Sequence, residues 1–350
     1  MACDGPFSHS RLESFRQCPR KFRLRYIDAI PARRRGIEAF MGSRVHEALE
    51  WLYRKLGAGQ PVACPELLRY FHRRWDESYG DDVERVRENR GPDHYRAAGV
   101  ACLETYYRLN HPFADAARTL GLEQRVEFEL DGDARYPIQG YIDRLVQGAD
   151  GMLEIHDYKT SSRMPRPEDF AADGQLALYQ IGLGRVFAGQ RGVRLVWHYL
   201  VHGERVELGK TPADLERLGA RTRATIDAVR AEQAWEARPG ALCRWCDYHD
   251  LCPEGSRVVE GAQSVPWNEG RLVWRYAGVK RAAGEPGGNP AALRREAELL
   301  RSALRDYVVR TGRSVLTGGP GRLVVQPPTE TAPPRWVMRF EPGDPGGDPG

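Results

Sequence analysis

Lysine is scarce in this chain. Only Lys21, Lys55, Lys159, Lys210 and Lys280 stand among 52 basic residues; the rest are arginine. A GC-rich coding sequence accounts for such a bias, yet a position that stays Lys raises the question whether only an ammonium would serve there. Long apolar runs are absent as well: no stretch approaches about 18 consecutive apolar residues, which excludes a membrane-spanning helix. Met1–Pro6 lacks the basic-then-apolar order of a secretory signal, so a cytoplasmic location is expected. Excess charge is also missing. With 52 basic against 48 acidic residues the net charge is +4, which permits a nucleic-acid partner without arguing for one. No internal repeat is visible. The one Gly-rich candidate for phosphate binding, Gly203…Gly209-Lys210-Thr211, has five residues between its glycines where a P-loop has four, so no nucleotide-driven motor is expected.

What is present suffices for a packed protein. Hydrophobic residues make up 41%, which excludes a mostly disordered chain. A helix is expected near 8–28, interrupted at Pro19, followed by an arginine loop at 33–35 and helices at 40–57, 65–79 and 92–109. The period then changes. Leu122, Val126, Phe128 and Leu130 alternate with Glu123, Arg125, Glu127 and Glu129, as in a strand with one buried face. Further strands read at 137–146 and 152–158, then a helix at 171–186, a strand pair at 193–200 and 203–208, and a helix at 212–233. Residues 256–288 read as irregular, 291–311 as a strong helix and 314–326 as a hairpin. Residues 327–350, ending in Gly343–Gly350, read as a mostly disordered tail. The order defines an α/β or α+β layered domain with a mainly antiparallel sheet.

Seven cysteines in a cytosolic chain are thiols or ligands rather than a disulfide framework. Cys3, Cys64 and Cys102 stand singly, the first at a surface terminus and the others in helix cores. Cys243-Arg-Trp-Cys246 forms a C-x2-C pair, Cys252-Pro253 follows shortly after, and Cys18-Pro19 lies far upstream. Four thiolates suit either zinc or an iron-sulfur cluster. Trp245, inside the pair, is expected to shield such a centre.

The chemistry gathers elsewhere. Gly140-Tyr-Ile-Asp143-Arg144 sets an Asp inside a strand, where it is disfavoured. In His156-Asp157-Tyr158-Lys159-Thr160 an Asp and a Lys sit two apart, on one face of a strand end. The hairpin between them brings Asp143 beside Asp157. Two acids and an ammonium on one surface are costly unless a divalent cation neutralises the acids. Gly42-Ser-Arg-Val-His46 adds an imidazole on an otherwise apolar helix, and Gln175-Leu-Ala-Leu-Tyr179 puts an amide and a phenol on one helix face.

Taken in order, these segments resemble the RecB-like branch of the PD-(D/E)XK nucleases. The Cys18…Cys243-x2-Cys246…Cys252 frame is similar to its iron-sulfur members, among them AddB-type nuclease domains and CRISPR-adaptation exonucleases. The opening Ser8-His-Ser-Arg-Leu12…Phe15-Arg-Gln-Cys18-Pro-Arg-Lys-Phe22 matches their first helix. The departure is Ile142 where Pro often precedes the Asp.

The resemblance implies a restriction-endonuclease-like mixed sheet flanked by helices, with an N-terminal helical region and a C-terminal cysteine staple. It places a nuclease domain at 1–255, with a helical insertion near 58–118, and a helix–hairpin appendage at 256–326. His46, Asp143, Asp157 and the Tyr158 carbonyl would bind Mg²⁺ or Mn²⁺, the imidazole leaning towards Mn²⁺. Lys159 would orient the water or hold the scissile phosphate, with Gln175 and Tyr179 steadying it. Cys18, Cys243, Cys246 and Cys252 would hold a [4Fe-4S] cluster tying the C-terminal segment to the first helix. The expected partner is DNA, cut as single strands or at ends, together with a helicase or proteins of CRISPR adaptation or recombination. The rival reading is a non-catalytic iron-sulfur DNA-binding subunit of such a complex.

Overall fold

The computed structural model describes residues 5–84, 90–114, 117–186, 191–254, 269–328 and 336–343. They form two compact units. The first comprises residues 3–13 and 35–232, the second 14–34 and 233–350.

The first unit is built on a five-stranded sheet in the order β3-β4-β5-β6-β7, from Arg118–Glu129, Pro137–Gln147, Leu153–Lys159, Val193–Tyr199 and Glu204–Leu208. Neighbours are antiparallel except β5 and β6, which run parallel. A parallel pair needs a crossover. Here it passes through α6 (Pro167–Ala172) and α7 (Gln175–Val186). The sheet is therefore mixed, as the resemblance implies. One face packs on α3 (Ile37–Gly57), α4 (Cys64–Ser78) and α5 (Pro92–Asn110), through Val45, Leu49, Phe71, Leu103, Tyr106 and Tyr158. On the other, α7 and the long α8 (Pro212–Ala231) cover Ile142, Ile155, Leu195 and Trp197. Alternation along β5 assigns Ile155, Asp157 and Lys159 to the α7 side, and His156 and Tyr158 to the α3 side. The short strands Arg35–Gly36 and Val83–Glu84 (β1 and β2) pair parallel beside α3.

One sequence expectation changes here. The helix expected at 171–186 is broken at Asp173-Gly174. Asp173 Oδ1 accepts the Gln175 N–H at 2.8 Å, which caps a new helix and puts Gln175 in its first turn. The Gly203–Lys210 stretch is occupied by β7, and Thr211 and Asp214 form the capping box of α8, which accounts for these residues without a phosphate site.

The second unit contains α2 (Pro19–Phe22), continued by a π-turn at Arg23–Ile27, and later α9 (Glu269–Ala282) and α10 (Pro290–Thr311). A three-stranded antiparallel sheet follows: β8 (Val315–Gly318), β9 (Gly321–Gln326) and β10 (Val337–Pro342), in the order β10-β9-β8. Leu24, Ile30, Tyr248, Leu251, Leu272 and Leu304 share its core, and the Tyr248 hydroxyl donates to the Ile30 carbonyl at 2.9 Å. Residues 14–34 thus join the part after 232, to whose core they contribute side chains. Helix α9 occupies sequence expected to be irregular. Its Gly278 lowers helix propensity, but a Cβ there would lie 3.0 Å from Arg33 Cδ, so the glycine admits an arginine across the helix. Arg33 reaches Glu296 with two bonds of 2.7 and 2.8 Å, Arg34 lies over Trp274, and Arg35, in the first unit, pairs with Asp82 at 2.6 Å. The arginine run is occupied by these contacts. Strand β10 likewise replaces part of the expected disordered tail; residues 329–335 and 344–350 of that tail, the irregular 256–268 and Cys3 lie outside the described residues. Among the described residues no helix is long and apolar enough to cross a membrane.

Behind β5, on the α3 side, runs a buried polar chain. His198 Nε2 lies 2.8 Å from His156 Nδ1, and His156 Nε2 lies 3.0 Å from Glu154. Neutral rings satisfy both bonds when each Nε2–H donates along the chain. The His156 bond, outweighing burial, and the nearby Arg194 and Arg205 hold Glu154 down at about 2, while burial pushes His156 down to about 4. The Glu154 charge therefore contributes stability that is fully present above its ordinary 4.5 and lost as pH falls towards 2. Neutral His156 disfavours the fold as pH falls from 6.5 towards 4. Glu154→Gln is expected to cost about 2 kcal/mol at neutral pH, narrowing in acid, as read by urea unfolding across the pH range.

Candidate active site

The β4–β5 ladder runs from Gln147↔Leu153 to Arg144↔His156 and stops one residue short of Asp143 and Asp157. Beyond that point the Tyr158 N–H donates to Asp143 Oδ2 at 2.8 Å instead of to a strand carbonyl. The strands part, and both acids stand at the opening.

Helix α3 delivers His46 to this point. Its Nε2 lies 2.7 Å from the Tyr158 carbonyl oxygen and its Nδ1 3.4 Å from Asp143 Oδ2. If Nε2–H donates to the carbonyl, the Nδ1 lone pair faces a carboxylate, and only a proton or a cation between them makes that contact favourable. A third group completes the set. The Glu123 carboxylate gathers with His46 and Asp143 so that one donor atom from each lies within 4.8 Å of the others.

Glu123 is the residue that sequence reasoning missed, because the alternation of β3 assigns it to the polar outer row. The break is local to Glu123, because the β3–β4 register is constant from Gly121 to Glu129, past a shift between Thr119 and Gly121. The pairs Leu122↔Arg144 and Gln124↔Ile142 leave Glu123 across from Asp143, and its φ of 45° lies in the left-handed region. Like charges facing across a ladder destabilise it, and a non-glycine residue at positive φ adds a cost of about 1 kcal/mol or more. Burial and the Asp143 charge push the Glu123 carboxyl up to about 7, against the pull of His46. The periodicity of the strand carried no signal of this.

On the α7 side, Lys159 Nζ lies 2.8 and 3.1 Å from the two oxygens of Asp157 and 3.4 Å from Gln175 Oε1. Burial opposes the ammonium, but Asp157 outweighs it and the lysine pKa is raised. Asp157 is pushed up to about 6, first by burial and then by Asp143, against Lys159. Gln175 also bonds the Tyr179 phenol, which accepts the Tyr141 backbone N–H as well. The chain Lys159–Gln175–Tyr179 thus ends on β4. Gly140 makes room for it: a Cβ there would lie 2.1 Å from Tyr179 Cε1.

The structure therefore brings His46, Asp143 and the Tyr158 carbonyl together, with Asp157, Lys159 and Gln175 on the adjoining face. Asp157 is not among the three groups that converge within 4.8 Å. The donor set, an imidazole with carboxylates and a carbonyl, is one that suits Mn²⁺ or Mg²⁺.

In the second unit, Cys18, Cys243, Cys246 and Cys252 line one cavity of about 310 Å³. The Arg238 N–H donates to Cys18 Sγ at 3.5 Å and the Gly240 N–H to Cys243 Sγ at 3.4 Å. Burial pushes the Cys246 thiol up to about 11, a cost that a bound cation would reverse. Trp245 is 45% exposed.

The chain matches the PD-(D/E)XK nuclease superfamily over residues 6–253 and belongs to that superfamily, whose members are nucleases that generally use divalent metals. No curated protein sequence matches it. Among solved structures it is similar to SSO0001, at 17% identity and a TM-score of 0.27, over 45% of this chain and 69% of that one.

Two outcomes follow from the site's geometry. Glu123→Gln should weaken Mn²⁺ binding about tenfold by calorimetry while leaving the thermal melt unchanged or raised, since it removes a repulsion. Gly140→Ala should displace the Tyr179 ring and cost about 2 kcal/mol in thermal unfolding.

Proposed function

We propose that the protein is a metal-dependent deoxyribonuclease that hydrolyses phosphodiester bonds at single-stranded or end-bearing DNA. The observation that carries this is the unbroken set at the parted strands: His46, Asp143 and the Tyr158 carbonyl on one side, Asp157 and Lys159 on the other. A non-catalytic relative has no use for an ammonium held between a buried Asp157 and Gln175 beside a carboxylate cluster.

In this reading His46, Asp143, Asp157 and the Tyr158 carbonyl hold a divalent cation, with Glu123 as a further carboxylate. When bound, that cation supplies positive charge to the phosphate and acidifies water. The chain's own part is positioning. Lys159, fixed by Asp157 and Gln175, presents a rotatable N–H to the attacking water or the scissile phosphate. Gln175 holds Lys159 in register, and Tyr179 holds Gln175 against β4. Asp143 keeps the strands open by accepting the Tyr158 N–H, so the Tyr158 carbonyl faces the site.

The four cysteines are assigned to a structural [4Fe-4S] cluster. Among the described residues no three of their sulfurs lie within 4.8 Å of one another. A tetrahedral zinc with Zn–S of about 2.3 Å would draw thiolates to about 3.8 Å. A cavity of about 310 Å³ between more widely spaced sulfurs suits a polynuclear centre, which when bound supplies four bonds joining Cys18 to the 243–252 segment. The N–H groups of Arg238 and Gly240 are placed to bond its thiolates. Helicases and proteins of CRISPR adaptation or recombination are the partners this class of nuclease would serve, in the cytoplasm.

The test is cleavage of end-labelled single- and double-stranded DNA with Mg²⁺, Mn²⁺ or EDTA. Asp157→Ala and Lys159→Ala are expected to lower cleavage about 10³-fold or more while DNA binding persists. Full activity in both would overturn the assignment. Anaerobically prepared protein should be brown and lose its visible absorbance in Cys246→Ala; a colourless preparation with stoichiometric zinc would overturn the cluster.

A further inference from the structure

The second unit carries a charge pattern that the nuclease site does not use. Residues 269–313, spanning α9 and α10, hold ten Arg and Lys against five Asp and Glu, an excess of five where the whole chain nets only +4. The acids of this segment are largely engaged. Glu296, fully buried, accepts from Arg33 and Arg275; Glu269 is bound by Tyr307 and Arg313; Glu298 pairs with Arg295 at 2.9 Å.

What remains is ordered. Arg294, Arg301 and Arg305 are exposed on α10, and among the described residues none has a carboxylate within 4.0 Å. At about 100° per residue their spacing places all three within an arc of about 40°, in a line about 16 Å long. Helix α10 is a firm support for them. Asn289 caps its start through Oδ1 bonds to the Ala291 and Ala292 N–H groups, Gly312 ends it at φ 70°, and Ala292, Ala303 and Tyr307 bury the opposite side. Lys280 and Arg281 add two more exposed cations at the end of α9, just before the turn into α10.

We infer that this outer face of α10, with Arg294, Arg301 and Arg305 in line, is a docking surface for the phosphate backbone of a nucleic-acid strand. A row of unneutralised guanidiniums complements a regular row of phosphates, and Arg binds phosphate bidentately. The face carries no aromatic to stack on bases, so its contribution is independent of sequence and dependent on salt. The inference rests on the nuclease reading only in taking nucleic acid as the polyanion.

The test uses the full chain in EDTA, with a fluorescein-labelled single-stranded oligonucleotide read by anisotropy at several KCl concentrations. The triple variant Arg294→Ala/Arg301→Ala/Arg305→Ala should bind about tenfold or more weakly and reduce the slope of log K against log salt by about 2. The matching triple Lys variant should keep most of both, and circular dichroism should show all three proteins equally folded. Unchanged affinity and slope in the Ala variant would overturn the inference, as would wild-type protein that binds anionic vesicles or a polyglutamate peptide but not the oligonucleotide. The two readings fail separately. Stripe-dependent binding by a wild type that cuts no DNA would remove the nuclease alone, and cleavage with stripe-independent binding would remove this surface alone.

Discussion

Mutual repulsion of carboxylates at the parting of β4 and β5 is the constraint around which the first unit is arranged. Glu123 faces Asp143 across one ladder, and Asp157 stands one step beyond the last pair of the next. Lys159 offsets Asp157, and His46 with the Tyr158 N–H faces Asp143. Carboxyls pushed up to about 7 and about 6 at two of these positions express the same imbalance: the site's own residues carry more negative charge than their surroundings neutralise. A fold keeps such a deficit where a ligand removes it. Membership of the PD-(D/E)XK nucleases says what kind of ligand that is, and the donor set of imidazole, carboxylates and carbonyl agrees.

Rigidity around the deficit comes from both layers. On the α3 side, His46 rides a helix whose Val45, Leu49 and Leu52 are fully buried, so the imidazole cannot retreat without unpacking that face. Across the sheet, Ile155, Leu176, Tyr179 and Trp197 lock β5 to α7. Behind β5, the Glu154–His156–His198 chain and the aromatic contacts of His198 with Tyr106 and Tyr158 fix its alternate residues from below. Site residues odd in number point one way and structural residues even in number the other. One seven-residue strand thereby serves both purposes.

The same alternation explains what could be read from the sequence. Asp143, Asp157, Lys159, Gln175 and Tyr179 were legible because local periodicity places each of them: i, i+2 on a strand, i, i+4 on a helix. His46 was legible because an imidazole breaks an apolar helical face. Glu123 was not, since its left-handed backbone, φ 45°, interrupts the strand at that one residue, and such a break leaves no trace in a hydrophobic pattern. Helix α9 and the split before α7 were hidden for a related reason. Gly278 and Asp173-Gly174 look like simple punctuation, yet one admits Arg33 and the other caps the helix that carries Gln175. The joining of residues 14–34 to the C-terminal core rests on contacts over 200 residues apart, which no local window detects.

Lysine at 159 is the clearest case of side-chain chemistry overriding composition. In a chain where lysine supplies five of 52 basic residues, an arginine there would be the expected outcome of drift alone. The geometry argues against it. Nζ fits between two Asp157 oxygens and Gln175 Oε1 at 2.8, 3.1 and 3.4 Å, with burial closing the space around the stem. A planar guanidinium needs a wider opening and takes a carboxylate with its whole fork, which would turn its donors towards Asp157 and away from the mouth of the site. An ammonium has three donors and can rotate, so it can satisfy the aspartate and the glutamine and still offer an N–H outwards. Retention of the smaller, rotatable charge is what a group aimed at a third, transient partner requires, whereas a permanent Asp–Arg pair would serve stability alone.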